Sequence, residues 1–235
     1  MAEIKHKTKP QLLESLVSVD ILRMGPLIGP SIGAKIPMYY NIRQKFSEPA
    51  ILDLVGKEMS LVIKKLSVDV IAAIEMSGIP WATTASTTSR MPMVVVRKEK
   101  REGARSSIEG VSVKGKTCVL IDDAYVGGAG KKRSINMIED EGGKVSDILV
   151  ILNVHEVVTG GYDLGRSVVD EKGINVHYFF SYLDWYRLAN KKGLLSDELL
   201  KFVEQAHLNL KAWQKDDSKW QLLEDIKKKQ NGKFI

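Results

Sequence analysis

Residues 118–132, CVLIDDAYVGGAGKK, run from three aliphatic side chains into two adjacent carboxylates, then into glycines and two lysines. Val119 to Ile121 suit a short buried strand. Asp122 and Asp123 stand where that strand should emerge, and Gly127, Gly128 and Gly130 free the backbone behind them to curl. In open α/β sheets, ligands bind at such turns, at the carboxyl ends of the strands. Reading this stretch as strand, acid pair, turn and helix therefore sets both a fold class and a place to look for chemistry.

Outward from it, strands and helices alternate. Upstream, 69–74 (DVIAAI) and 92–98 (PMVVVRK) read as buried strands, and 78–89 as a helix opening at a Gly-Ile-Pro turn. Residues 48–66 place Ile51, Leu54, Val55, Met59, Val62 and Leu66 at spacings of three and four, one face of a helix. Residues 10–22 have a similar but shorter face, and 38–43 (MYYNIR) suit a strand. Residues 25–37 carry four glycines or prolines in their first six positions and read as short strands and turns. Downstream, the helix over 130–141 should stop at Gly142-Gly143, with strands at 145–154 and 174–180 and helices at 196–212 and 218–229. Such alternation implies a mainly parallel sheet with helices on both faces.

Composition narrows the function classes. The chain has 235 residues, 44% hydrophobic and 27% charged, enough for one full core. One cysteine, Cys118, excludes an internal disulfide framework and a Cys-rich zinc site, and points to a reducing, cytoplasmic setting. MAEIKHKTKP at the N-terminus lacks the apolar region of a secretory signal. No apolar run nears the ~18 residues needed to span a membrane. The net charge of +6 suits phosphorylated substrates or nucleic acid. No helix-turn-helix segment can be placed in the first 45 residues, so nucleic acid is not the expected partner.

The opening stretch fits neither common phosphate fingerprint. Tyr125 stands where a Walker loop needs its first glycine and Lys132 where it needs Ser or Thr, while Arg133 breaks a G-x-G-x-x-G pattern. A glycine-rich turn still presents successive N–H groups to an anion, aided by the dipole of the following helix. Lys131 and Lys132 would add positive charge there, and two carboxylates beside a phosphate can accept hydrogen bonds from vicinal hydroxyls, as on a ribose. The same residues also suit an ordinary strand-to-helix turn with solvated acids. Three further stretches favour the first reading. VRKEKREG (96–103) gathers Arg97, Lys98, Lys100 and Arg101 at a strand end, as a cationic lid over a polyanion would. KIPMYYNIR (35–43) carries Tyr39 and Tyr40 on opposite faces of a strand, so that one can stack on a flat ring. AAIEMSGIPWATTA (72–85) is a second strand-to-helix turn, with Gly78 and, just beyond it, hydroxyls on Thr83, Thr84 and Ser86, and is suited to pyrophosphate.

In order and spacing these stretches resemble the orotate phosphoribosyltransferases, a branch of the type I phosphoribosyltransferases, from about residue 10 to 220. KIPMYYNIR is similar to that family's Lys-Ser-Pro-Tyr-aromatic segment, and SGIPWATTAS to its second glycine turn. VRKEKREGARSSIEG is similar to its Arg-Lys-Glu loop, VLIDDAYVGGAG to its diphosphate-sugar motif, and GLLSDELL…KDDSKW to its tail. The resemblance implies an α/β core over 46–182, an N-terminal helix and hood over 1–45, and a helical extension over 183–235 packed on the core. It implies transfer of a phosphoribosyl group from phosphoribosyl diphosphate to orotate, with Mg2+ on the diphosphate. Asp122 and Asp123 would bind the ribose hydroxyls. Val126, Gly127, Gly128, Ala129 and Gly130 would hold the 5′-phosphate, and Gly78 would face the pyrophosphate. Arg97, Lys98 and Lys100 would stabilise the departing diphosphate, and Lys35, Tyr39 and Tyr40 would line the substrate site. A homodimer sharing the cationic loop across subunits is also implied. The chain departs from the family pattern at Val126 and Ala129, where threonines are usual, at Glu102, at Asn153-Val154, where Asp-Arg is common, and at Ser31. These departures touch base recognition more than sugar-diphosphate recognition, and the alternative to orotate transfer is a relative that acts on another base, or a non-catalytic one that senses phosphoribosyl diphosphate or binds nucleic acid.

Overall fold

The computed structural model of the chain describes residues 3–5, 10–18, 20–28, 33–99, 102, 106–126, 129–154 and 166–230. A seven-stranded sheet lies at its centre. Its strands are β1 (Glu3–Lys5), β4 (Val70–Ile74), β5 (Met93–Val96), β6 (Ile108–Gly110), β7 (Thr117–Tyr125), β8 (Lys144–Asn153) and β9 (Asn175–Ser181), in the order β1-β9-β8-β7-β4-β5-β6. All neighbours run parallel except β5 and β6. The expected α/β class, a mainly parallel sheet flanked by helices, is therefore what the chain adopts. β4 and β7 are the middle of it, which is why their residues read as near-continuous apolar runs.

The two faces carry separate cores. Val119 and Ile121 of β7 join the core beneath α1 (Pro10–Leu16), α2 (Pro49–Ile63) and α3 (Ile79–Ser89). Cys118 and Leu120 join the opposite core, covered by α4 (Ala129–Asp140) and α5 (Arg166–Glu171). The apolar face expected on α2 is buried at Ile51, Val55, Met59 and Val62, while Leu54 and Leu66 are only partly covered. The stop expected at Gly142-Gly143 is real. Gly142 adopts φ +78°, its N–H bonds the Glu139 carbonyl at 2.8 Å, and the Gly143 N–H bonds Ile138 at 2.9 Å.

The hood is a separate two-stranded antiparallel sheet, β2 (Leu22–Ile28) with β3 (Lys35–Tyr40), followed by a 3-10 helix (Ile42–Ser47). Two expectations change here: the helix expected over 10–22 ends at Leu16, and the strand expected over 38–43 is β3, displaced to Lys35–Tyr40. Three C-terminal helices follow, α6 (Tyr182–Lys191), α7 (Asp197–Trp213) and α8 (Asp217–Lys229). They share one core with the hood and the sheet, running from Leu12 through Trp81 and Trp185 to Ile226. β1, β6 and α5 had no reading in sequence, being three to six residues long.

Candidate active site

β7 continues beyond the apolar run to Tyr125, so Asp122 and Asp123 both lie inside the strand. Strand alternation sends their side chains to opposite faces. Asp122 turns toward α4, where Lys131 Nζ donates to its Oδ2 at 2.7 Å and to the Ala124 carbonyl at 2.8 Å. The Ser77 hydroxyl and the Asp123 N–H both donate to Asp122 Oδ1. Burial opposes ionisation of Asp122, but Lys131 and these donors outweigh it and hold the carboxyl below its ordinary range. Lys131, expected to serve a phosphate, is instead buried and committed to Asp122.

Asp123 faces the hood. Its Oδ2 lies 3.9 Å from Arg43 Nε, and its side chain is 17% exposed. Burial, then the charge on Asp122, push its pKa up to about 7. Of the two acids, Asp123 is the one whose carboxylate is not consumed by a lysine. Of the expected phosphate turn, Val126 packs against the first core, and Gly130 already lies in α4. Ala129 opens that helix; Gly127 and Gly128 lie outside the described residues.

The β4–α3 turn meets the acid pair from the neighbouring strand. A Cβ on Gly78 would lie 2.2 Å from the Ile121 carbonyl oxygen, so only glycine lets α3 start this close to β7. Its own N–H is spent on the Ile74 carbonyl at 2.9 Å. Gly78, expected to face pyrophosphate, serves close approach here, and it delivers Ser77 to Asp122. The hydroxyls of Thr83 and Thr84 bond the α3 carbonyls of Ile79 and Pro80 at 2.8 and 3.1 Å, and that of Ser86 bonds the Met91 carbonyl just beyond the helix at 2.6 Å.

Arg97, expected at the departing diphosphate, reaches Glu109 at 3.1 Å and Glu75 at 3.5 Å, which ties the ends of β4, β5 and β6 together. Glu75 also accepts the Lys98 N–H at 2.7 Å. The Lys98 side chain is exposed beyond this clamp, and Lys100 lies outside the described residues.

In the hood the two tyrosines part, as alternation requires. Tyr40, expected at the substrate site, packs against Trp185 with ring centroids 4.7 Å apart and donates to the Leu16 carbonyl at 2.6 Å. It is a core residue that fastens hood to α6. Tyr39 accepts from Arg43 Nη2 at 3.3 Å and so belongs to the group around Asp123. Lys35, expected at the substrate site, opens β3. Its backbone N–H and carbonyl both bond the Gln214 amide, at 2.7 and 2.9 Å, and its ammonium lies 3.4 Å from Asp217. It secures the C-terminal helices.

Tyr39, Arg43 and Asp123 thus converge at the carboxyl edge of the sheet, with Ser77 bonded to the adjacent Asp122. Arg43, Ser77 and Glu75 were missed in sequence. Arg43 had one usable signal, its place four residues after Tyr39 inside an already suspected segment. Among the described residues no group of three or more metal-ligating side chains occurs, and no helix is long and apolar enough to cross a membrane.

No family model matches the chain. It is 31% identical over 146 residues to an orotate phosphoribosyltransferase of Methanocaldococcus jannaschii, covering 62% of this chain and 82% of that protein. It is 27% identical over 220 residues to the orotate phosphoribosyltransferase of Listeria innocua, covering 92% of this chain and 98% of that protein. Among solved structures, Leishmania donovani UMP synthase superposes with a TM-score of 0.72 at 25% identity, over 84% of this chain and 41% of that one. The chain therefore spans less than half the length of that synthase.

Proposed function

The chain belongs to the orotate phosphoribosyltransferase family, and from that premise we propose that it transfers the 5-phosphoribosyl group of phosphoribosyl diphosphate to orotate in pyrimidine nucleotide synthesis. The bond from the anomeric carbon to the diphosphate breaks, the bond from orotate N1 to that carbon forms with the N1 proton passing to pyrophosphate or solvent, and orotidine 5′-monophosphate and pyrophosphate leave. The observation that carries this reading is the asymmetric acid pair. Asp122 is neutralised from within by Lys131, leaving Asp123 beside Arg43 and Tyr39 to accept hydrogen bonds from the ribose hydroxyls.

The pair holds the sugar while positive charge develops on its ring. Lys98 and the cationic loop that follows it, including Lys100, stabilise the departing diphosphate, and such preorganised charge acts mainly on the transition state. Magnesium keeps most of its ligands as water and substrate phosphates. That suits a site with two carboxylates and no protein cage among the described residues. When bound, the ion supplies charge neutralisation on the diphosphate. We assign the working protein to the cytosol, as a homodimer whose cationic loop serves the neighbouring site.

The test is loss of orotate absorbance with phosphoribosyl diphosphate and magnesium, run beside adenine, hypoxanthine and uracil. Orotate consumption matched one for one by pyrophosphate release is expected. Preference for another base would overturn the acceptor, and no turnover with any base would overturn the activity. Mixing Lys100→Ala subunits with Asp123→Asn subunits should restore part of the activity if the loop crosses the dimer.

A further inference from the structure

We propose that Arg43 is the acceptor-recognition residue, binding the carboxylate of the incoming base and so setting orotate above uracil. The inference rests on the reading just given. Its first support is placement. Arg43 projects from the 3-10 helix of the hood, Nε 3.9 Å from Asp123 Oδ2 and Nη2 3.3 Å from the Tyr39 hydroxyl, with 43% of its side chain exposed. These contacts use one edge of the guanidinium. Nη1 has no partner among the described residues.

The second support is the state of the neighbouring cations. Lys131 is buried against Asp122, and Arg97 is clamped by Glu75 and Glu109. Lys98 follows β5, two strands from β7 in the sheet order, roughly 10 Å away at about 4.8 Å per strand. Arg43 is therefore the described cation held directly beside Asp123. It is also a guanidinium, whose planar fork of donors matches a carboxylate bidentately.

The third support is the geometry of the acceptor. In orotate the carboxylate sits on the ring carbon adjacent to the attacking nitrogen. Once N1 is aimed at the anomeric carbon, that carboxylate must lie close to the sugar. A cation anchored to the residue that holds the sugar's hydroxyls is within reach of it. Tyr39, hydrogen-bonded to the same guanidinium, sets the orientation of the fork. Uracil, the same ring without the carboxylate, leaves the fork unpaired.

The experiment compares Arg43→Ala and Arg43→Lys with the unaltered full chain, measuring kcat and KM for orotate, KM for phosphoribosyl diphosphate, and the ratio of orotate to uracil turnover. Removing a charged hydrogen-bonding partner of a ligand should raise KM for orotate by about 10- to 100-fold in Arg43→Ala. The KM for phosphoribosyl diphosphate should stay within about twofold, and the orotate:uracil ratio should fall by about the factor lost on orotate. Arg43→Lys, which keeps the charge but not the fork, should recover part of the loss. Circular dichroism checks each fold, and if Arg43→Ala fails to fold, Arg43→Lys and Arg43→Gln carry the same comparison. An unchanged orotate:uracil ratio, or an equal rise in KM for phosphoribosyl diphosphate, overturns the assignment and makes Arg43 a partner of Asp123 only. An unaltered chain that does not use orotate at all overturns the function itself, and is visible before any variant is made.

Discussion

The two strand-to-helix turns that meet at the candidate site are built on opposite principles. The β7–α4 turn is held by charge, with Lys131 buried against Asp122 at 2.7 Å. The β4–α3 turn is held by the absence of a side chain, with Gly78 seated against the Ile121 carbonyl. Both act on the same few atoms, since Ile121 precedes Asp122 and Ser77 bonds it. A buried charge pair tolerates loss of both partners better than loss of one, because one partner left alone is an uncompensated charge. A steric contact with backbone tolerates no addition at all.

The sharpest way to break that comparison is at Lys131. Replacement by Met should cost about 3–5 kcal/mol, the scale for orphaning a buried charge, which lowers the melting temperature by about 6–20 °C in a chain of this size. Adding Asp122→Asn should return most of the loss without returning activity, and thermal melts followed by circular dichroism read both. The same logic separates the two acids. Asp122→Asn alone strands Lys131 and should destabilise, whereas Asp123→Asn should not.

Gly78→Ala comes next. Its Cβ meets backbone 2.2 Å away, so α3 must retreat from β7, at a cost of about 1–3 kcal/mol. The denaturation midpoint measures the cost. Activity should fall further than stability, because Ser77 leaves Asp122 with the helix. No companion substitution at Ile121 should rescue it, since the contact is to main chain.

The effect expected at Asp123 depends on pH. Its pKa rises from 3.8 to about 7 on folding, so between those values the folded protein holds a proton that the unfolded chain has released. Stability should therefore decline as pH climbs from about 4 to about 7 and then level off. Asp123→Asn removes that decline, and should be more stable than the unaltered chain above pH 7, with no gain near pH 4. Denaturant titrations at pH 4.5 and 8 measure the difference. A gain of equal size at both would place the effect outside ionisation.

Much of this was legible in the residues. The parallel sheet followed from short apolar runs alternating with helical periods, and Asp122 and Asp123 were found because two acids rarely end an apolar strand. Tyr39 was readable only as one of a pair. Nothing local distinguishes it from Tyr40, and the choice is made by Trp185, 145 positions after Tyr40 in the chain. The partners of Lys35 and Arg97 were hidden in sequence for a related reason. A cation in a suggestive segment looks free until its carboxylate arrives from elsewhere, here Asp217 for one and Glu75 with Glu109 for the other.

What the sequence determined by itself is set by short-range physics. The period of hydrophobic residues, the glycine stop after α4, and the chemical types gathered at one strand end are all local properties of the chain. What only the tertiary structure decided is the division of labour between like groups: Lys131 inward and Asp123 toward the hood, Tyr40 in the core and Tyr39 with Arg43. Alternation along a strand guarantees that adjacent residues part, but not which of the two meets a partner. That depends on charges and rings brought up by distant segments, whose pull on a buried group exceeds anything its sequence neighbours exert.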